Sequence, residues 1–228
     1  MSAVRGQGST TQLTTVLFDM DGLLVDSEPL WFAAETETAA WLGIPWTATD
    51  QHALLGSNLP FAADYMLHRS GADVSADEVV TFLRTAMTRR LRVEGVSWRL
   101  GARELLSALL DGGLQLGLVT SSVREHVDVV LAALPKRAFE VTVTADDVTK
   151  LKPHPQPYLR ALDLLSATSR TTVVLEDSPP GVASAEAAGC LVVAVPSVAS
   201  IEPVPGRHVT SSLADVDLDL LRQLVNAR

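Results

Sequence analysis

The 228-residue sequence predicts an α/β fold, a parallel sheet flanked by helices and interrupted by an all-helical insertion. Short apolar runs rich in β-branched residues, each bounded by polar or turn residues, recur at 16–18, 114–119, 141–143, 173–175 and 191–195. Helical patterns alternate with the later runs, at 102–110, 123–134, 157–165 and 182–188, as in a Rossmann-like core with helices on both faces. Between about 28 and 94 the pattern is helical throughout, with no convincing strand. Residues 1–27 and 96–228 are therefore expected to form the core, and 28–95 a helical cap domain.

Each element has local support. The first run ends in Asp19-Met20-Asp21-Gly22, which reads as a buried strand breaking into a loop. Within the insertion, helices are expected at 30–42, 61–69 and 76–93. Gly71 suits the end of the second, and Ser75 with Glu78 forms a capping-box pattern at the start of the third. Asp26-Ser27 and Gly95-Val96-Ser97 are expected to pair as a hinge joining insertion to core, a layout that permits closure over a ligand. In the core, Ser122 with Glu125 forms a second capping-box pattern, and Pro179-Pro180 suits the opening of a helix.

Composition narrows the function. With 47% hydrophobic and 20% charged residues, the chain has the balance of a folded globular protein. A formal charge of −9 and a pI near 5.0 argue against nucleic acid and anionic membrane as partners, so an anionic substrate must be small and met by a local basic group. Cys190 is the only cysteine, so no intrachain disulfide forms and a buried, inert thiol is expected. Residues 1–12 are polar, carry no signal-like apolar run and are expected to be frayed. No stretch has the length of a membrane span, which makes the cytoplasm the default location.

Ligands of open parallel sheets bind at the carboxyl ends of the strands, and those ends are polar here. Asp19 and Asp21 follow the first run, Thr120 and Ser121 the second, Lys150 and Lys152 come shortly after the third, and Glu176 and Asp177 close the fourth. Four carboxylates gathered there would repel one another unless a cation occupied the cluster, and hard oxygen ligands select Mg²⁺. Lys152 could neutralise a nucleophilic carboxylate and a substrate phosphate, while Thr120, Ser121 and nearby backbone N–H groups donate to phosphoryl oxygens at a helix N-terminus. Taken singly, these residues have plainer roles: Asp21-Gly22 suits a turn, Thr120 and Ser121 suit caps, and Lys152 suits a solvated loop. Lys150 and the Arg89, Arg90, Arg92 group are expected at the surface. His52, His68, His126, His154 and His208 lack metal-ligand spacing.

In order along the chain, Asp19-Met20-Asp21-Gly22, Thr120, Lys152-Pro153 and Glu176-Asp177-Ser178 resemble the four motifs of the haloacid dehalogenase-like superfamily of phosphatases. The likeness covers nearly the whole chain. An insertion directly after the first motif resembles the small helical cap of the branch containing β-phosphoglucomutase and the hexitol and 2-deoxyhexose phosphate phosphatases. The resemblance implies that Asp19 attacks phosphorus to form an aspartyl phosphate, and that Asp21 protonates the leaving alcohol and later activates water. It implies Mg²⁺ held by the Asp19 carboxylate, the Asp21 backbone carbonyl and Asp177, with Glu176 a direct ligand or one acting through water. Gly22, Ser121 and Trp31 are expected to contact substrate.

Other readings stand beside the phosphatase. In a sugar phosphomutase of that branch, a histidine occupies the place of Trp31, an arginine aligns with Leu59 after Gly56-Ser57-Asn58, and a lysine aligns with Val123. Losing those groups weakens a second phosphate contact and favours hydrolysis. Dehalogenases of the superfamily lack the second aspartate, which Asp21 supplies here. A non-catalytic phosphate-binding protein is the remaining alternative. Asp26-Ser27-Glu28-Pro29-Leu30-Trp31 and 152–159 resemble stretches of hexitol and 2-deoxyhexose phosphate phosphatases, implying a sugar or polyol phosphate. Trp31 and Leu59 are expected to line its pocket, and ordinary helix packing accounts for them equally. The chain is expected to act as a monomer or weak homodimer.

Overall fold

The computed structural model describes residues 12–54, 57–134 and 138–228, so the expectation of a frayed N-terminus and the position of Gly56 fall outside the described residues. The buried run β1 (Thr15–Phe18) leads into a short β2 (Val25–Asp26) and then four helices: α1 (Glu28–Trp41), α2 (Ala48–Leu54), α3 (Leu59–Ser70) and α4 (Ala76–Glu94). The chain returns through β3 (Ser97–Trp98) and alternates: α5 (Ala102–Asp111), β4 (Gln115–Val119), α6 (Arg124–Ala132), β5 (Val141–Val143), α7 (Gln156–Leu164), β6 (Thr172–Glu176), α8 (Pro179–Ala187) and β7 (Leu191–Ala194). An edge strand β8 (Arg207–Val209) and α9 (Leu218–Asn226) complete it.

Six strands form one parallel sheet in the order β5-β4-β1-β6-β7-β8. The α/β expectation holds. β1 sits between β4 and β6, with Leu17 opposite Gly117 on one side and Val174 on the other, so the strand order diverges at β1 and a crevice opens at its carboxyl end. Alternation along β1 serves both faces: Val16 and Phe18 join a buried cluster with Leu105, Leu109, Val127 and Leu221, while Leu17 joins Tyr158, Ala161, Val182 and Ala185 on the other side. Cys190 is buried in that second cluster, and burial pushes its thiol up to about 12, as an inert core thiol requires.

The helices between β2 and β3 have identifiable starts and stops. Ser75 and Glu78 cap α4 reciprocally, and Asn58 Oδ1 accepts from the Phe61 N–H at the start of α3. Gly71 ends α3 at φ 61°, a left-handed conformation natural to glycine. Helix α4 packs against α1 and α3 and reaches α6 of the sheet layer. The β2–β3 pair is antiparallel, Val25 opposite Trp98 and Asp26 opposite Ser97. Relative to the expected hinge, β2 begins one residue earlier and β3 two residues later, because Gly95 terminates α4 and Ser27 already flanks α1.

Three elements were not anticipated. Helix α2 is short and polar, and is held through Asp50, whose carboxylate accepts from the Thr47 N–H at 2.9 Å and from Tyr65 Oη at 2.9 Å and pairs with Arg69. Strand β8 is half exposed, without the apolar run of a buried strand. Helix α9 did carry a signal, an Asp217 cap before apolar residues at helical spacing, of which Leu221 and Val225 are buried. Arg89 and Arg90 differ from a purely solvated face, since both pair with Glu37 across α1 and α4.

Candidate active site

At the carboxyl ends of β1, β4 and β6 the chain gathers Asp19, Asp21, Thr120, Lys152, Glu176 and Asp177. All of these except Glu176 border one cavity, shared with residues of α1, α2 and α3; Glu176 lies beneath it and is fully buried. Asp19 is carried out of the sheet by the register of β1, its N–H donating to the Leu175 carbonyl at 3.0 Å.

Lys152 organises the floor. Its Nζ donates to Asp19 Oδ1 at 2.6 Å, to Glu176 Oε1 at 2.6 Å and to the Val119 carbonyl at 2.9 Å, which uses all three ammonium donors. The Lys152-Pro153 peptide is cis. Burial alone would drive the ammonium toward neutrality, but Asp19 and Glu176 outweigh it and hold the Lys152 pKa above its ordinary value. Lys150, by contrast, is exposed, as expected.

Glu176 is fully engaged. Tyr158 Oη donates to Oε1 at 2.6 Å, and Oε2 accepts from the Asp177 N–H at 3.1 Å and Ser178 Oγ at 3.2 Å. Gly181 permits this, because a Cβ there would lie 1.9 Å from Glu176 Oε1. Ser178 caps α8, accepting from the Gly181 N–H at 3.2 Å, so the neighbouring carboxylates are released from capping duty.

Asp21 occupies a different environment. Its Oδ1 accepts from Ser27 Oγ at 2.6 Å, and Oδ2 accepts from Ser122 Oγ at 2.8 Å and Thr120 Oγ1 at 3.3 Å. The expected capping box of Ser122 with Glu125 is therefore absent. Helix α6 begins at Arg124, whose N–H is met by Asp146 Oδ2 at 2.6 Å, because the Ser122 hydroxyl is committed to Asp21. Ser27 likewise makes no cap bond to α1.

Asp19, Glu176 and Asp177 each offer a carboxylate oxygen within 4.8 Å of the others'. Burial first, then Lys152 pulling down and Glu176, Asp177 and Asp21 pushing up, leaves the Asp19 pKa well above the usual carboxylate range. Burial and the Glu176 charge raise Asp177 to about 7. Ser197 Oγ donates to Asp177 Oδ2. A single ammonium does not neutralise this group, and a hard divalent cation suits its all-oxygen donor set. The Asp21 side chain stands outside that set.

Trp31 borders the cavity and meets His126 edge-on, ring centroids 5.6 Å apart; Ser121 and Leu59 border it too. Gly22 lies against Asp177, where a Cβ would sit 2.0 Å from Oδ2. The sequence reading gave Ser122 only a capping role and His126 no role, and did not name Tyr158, Ser197 or Glu35. Of these Glu35 alone had a signal, since Glu28, Trp31 and Glu35 recur at the three- and four-residue spacing of one helix face.

Residues 16–195 match the haloacid dehalogenase-like hydrolase family. The chain belongs to that family. It is 31% identical over 215 residues to hexitol phosphatase B of Escherichia coli (strain K12), covering 93% of this chain and 95% of that one. The phosphorylated carbohydrates phosphatase of Thermotoga maritima is 31% identical over 180 residues, 78% of this chain and 82% of that one. Among solved structures, CbbY from Rhodobacter sphaeroides in complex with phosphate superposes with a TM-score of 0.82 at 26% identity, covering 92% of this chain and 99% of that one. This chain is thus an enzyme of the haloacid dehalogenase-like phosphatases, a phosphoric monoester hydrolase. No helix among the described residues is long and apolar enough to cross a membrane.

Proposed function

We propose that this enzyme hydrolyses a sugar or polyol monophosphate through an aspartyl phosphate on Asp19, with Mg²⁺ as cofactor. The observation that carries the reading is the contrast between two aspartates in one pocket: Asp19 is buried against an ammonium, while Asp21 is held by three hydroxyls. Two carboxyl groups in different environments are what a nucleophile and a proton-transfer group require.

In the first half-reaction Asp19 attacks phosphorus and the bond to the leaving oxygen breaks, while Asp21 gives that oxygen a proton. In the second, Asp21 takes a proton from water as the water oxygen attacks phosphorus, returning Asp19 as carboxylate and releasing phosphate. Lys152 holds Asp19 in place and balances its charge. Thr120, Ser121 and the backbone N–H groups around them receive the phosphoryl oxygens, and Gly22 leaves room for Asp177 beside them. Mg²⁺ would be held by Asp19 and Asp177 with the Asp21 backbone carbonyl, and it supplies charge stabilisation for the transferring phosphoryl group. Glu176 is better suited to an indirect role, since both its oxygens already accept hydrogen bonds.

Residues 28–95 form a cap over the site in this reading, with β2–β3 as its joint to the core. Hydrolysis is favoured over phosphomutation because Lys152 is the only Lys or Arg bordering the cavity among the described residues, and it is fully occupied. A second phosphate finds no free cation there among the described residues.

Phosphate release from sugar, polyol, glycolate and nucleotide phosphates tests this, with Mg²⁺ and with chelator, for wild type and Asp19→Asn. Magnesium-dependent release from sugar or polyol esters, abolished in the variant, is expected. A preference for phosphoglycolate or nucleotides would sink the substrate assignment, and release that persists in Asp19→Asn would sink the mechanism.

A further inference from the structure

Two buried residues that border the cavity each hold a polar atom without a hydrogen-bond partner among the described residues. Glu35, on α1, is 6% exposed and its Oε2 has no hydrogen-bond partner among the described residues. His126, on α6, is 1% exposed and its Nδ1 is likewise without a partner. Both border the cavity that holds Asp19 and Asp21. Leaving such groups unpaired costs about 1–3 kcal/mol each, so two in one pocket mark a place where a ligand supplies the missing bonds.

The chemistry of each valence can be specified. His126 Nε2 lies 3.3 Å from the Arg84 carbonyl, which can only accept, so Nε2 carries the proton. Burial lowers the His126 pKa and keeps the ring neutral, which leaves Nδ1 a bare acceptor. Burial, with Glu28 adding to it, raises Glu35 to about 8 although the Trp46 indole N–H pulls the other way. At neutral pH the Glu35 side chain is then a carboxylic acid that can both donate and accept. Trp46 Nε1 is itself without a partner, so it closes no bond of normal geometry to Glu35. Acceptors and a donor–acceptor pair match hydroxyl groups, which offer both functions.

We infer that Glu35 and His126 are specificity-determining residues that hold hydroxyls of the leaving group, so the preferred substrate is a monophosphate whose remaining carbon chain is neutral and hydroxylated. The inference rests on the phosphatase reading above and deepens it. Trp31, which borders the cavity and meets His126 edge-on, adds aromatic surface for the C–H groups of the same chain. A second anionic group is disfavoured by the Asp21 carboxylate and by the lack of a free cation in the lining among the described residues.

The test compares kcat/KM for sorbitol 6-phosphate with that for p-nitrophenyl phosphate, whose leaving group has no aliphatic hydroxyl, in wild type, Glu35→Leu, Glu35→Gln and His126→Leu. Glucosamine 6-phosphate and fructose 1,6-bisphosphate are included for wild type. Each Leu variant is expected to lower the sorbitol-to-nitrophenyl ratio by about tenfold or more, mainly through KM, as the loss of one buried hydrogen bond predicts. Glu35→Gln, which keeps a donor and an acceptor, should recover most of it. An unchanged ratio in both Leu variants overturns the inference alone, as does a wild-type preference for the amine or the bisphosphate. Absence of magnesium-dependent release from every ester, p-nitrophenyl phosphate included, overturns the phosphatase reading and this inference with it.

Discussion

Gly22 approaches Asp177 so closely that a Cβ on Gly22 would lie 2.0 Å from the Asp177 Oδ2. The same glycine has φ 79°, where an L-residue is strained by roughly 1–2 kcal/mol. Two separate reasons therefore exclude a side chain. Gly22→Ala is expected to displace Asp177 and lower turnover by about a hundredfold or more, an effect on the scale of losing one electrostatic contact to the transition state. Steady-state phosphate release across a Mg²⁺ titration checks it; activity within a few-fold of wild type would show that Asp177 tolerates the shift.

Among the described residues, Lys152 is the only cation that touches the Asp19 and Glu176 carboxylates. Replacing it with Met keeps the bulk of the chain but leaves two buried carboxyl groups uncompensated, at a cost of ~3–5 kcal/mol. Lys152→Met should therefore unfold at lower denaturant and be almost inactive. Urea denaturation followed by circular dichroism reads the first effect and phosphate release the second.

Asp21 is fastened by side-chain hydroxyls rather than by the ammonium. Hydroxyls can reorient to face an amide, so Asp21→Asn should fold normally and retain Mg²⁺ binding through a backbone carbonyl. Its kcat is expected to fall roughly 10²–10⁴-fold, the usual worth of general acid–base catalysis. Near-normal turnover would remove Asp21 from the mechanism.

The raised pKa of Glu35 makes stability depend on pH with a definite sign. Its carboxyl is pushed up to about 8 in the fold from an ordinary glutamate value of 4.5, so the folded state binds the proton more tightly. That contribution is complete below about pH 4.5 and is lost as pH rises to about 8, a swing on the order of 3–5 kcal/mol. Glu35→Gln has no proton to lose there. The difference in melting temperature, variant minus wild type, should grow in the variant's favour between pH 6 and pH 9, on the order of several degrees. A flat difference curve would show Glu35 to be ionised or solvated in the fold.

Much of the site was legible in the chain because its parts are local. Asp19-Met20-Asp21-Gly22 and Glu176-Asp177-Ser178 each follow a run of apolar residues, and a strand end places them without knowledge of anything distant. The Ser75–Glu78 box likewise closes within one turn. Ser122 shows the limit of such reasoning. Its sequence context suits a cap equally well, and the carboxylate that claims its hydroxyl is 101 residues away.

The sequence by itself determined the alternation of strand and helix, the carboxylates and hydroxyls at the strand ends, and the lysine that must answer them. Hydrophobic periodicity and turn chemistry act over a few residues. Only the tertiary structure decided that Lys152 divides its bonds between Asp19 and Glu176, that Tyr158 secures Glu176 from a helix on the far face, and that Glu35 and His126 border one cavity, each with an unpartnered buried atom among the described residues. Those relations depend on which helix faces which across the packed layers, and no local pattern encodes the partner of a buried polar atom.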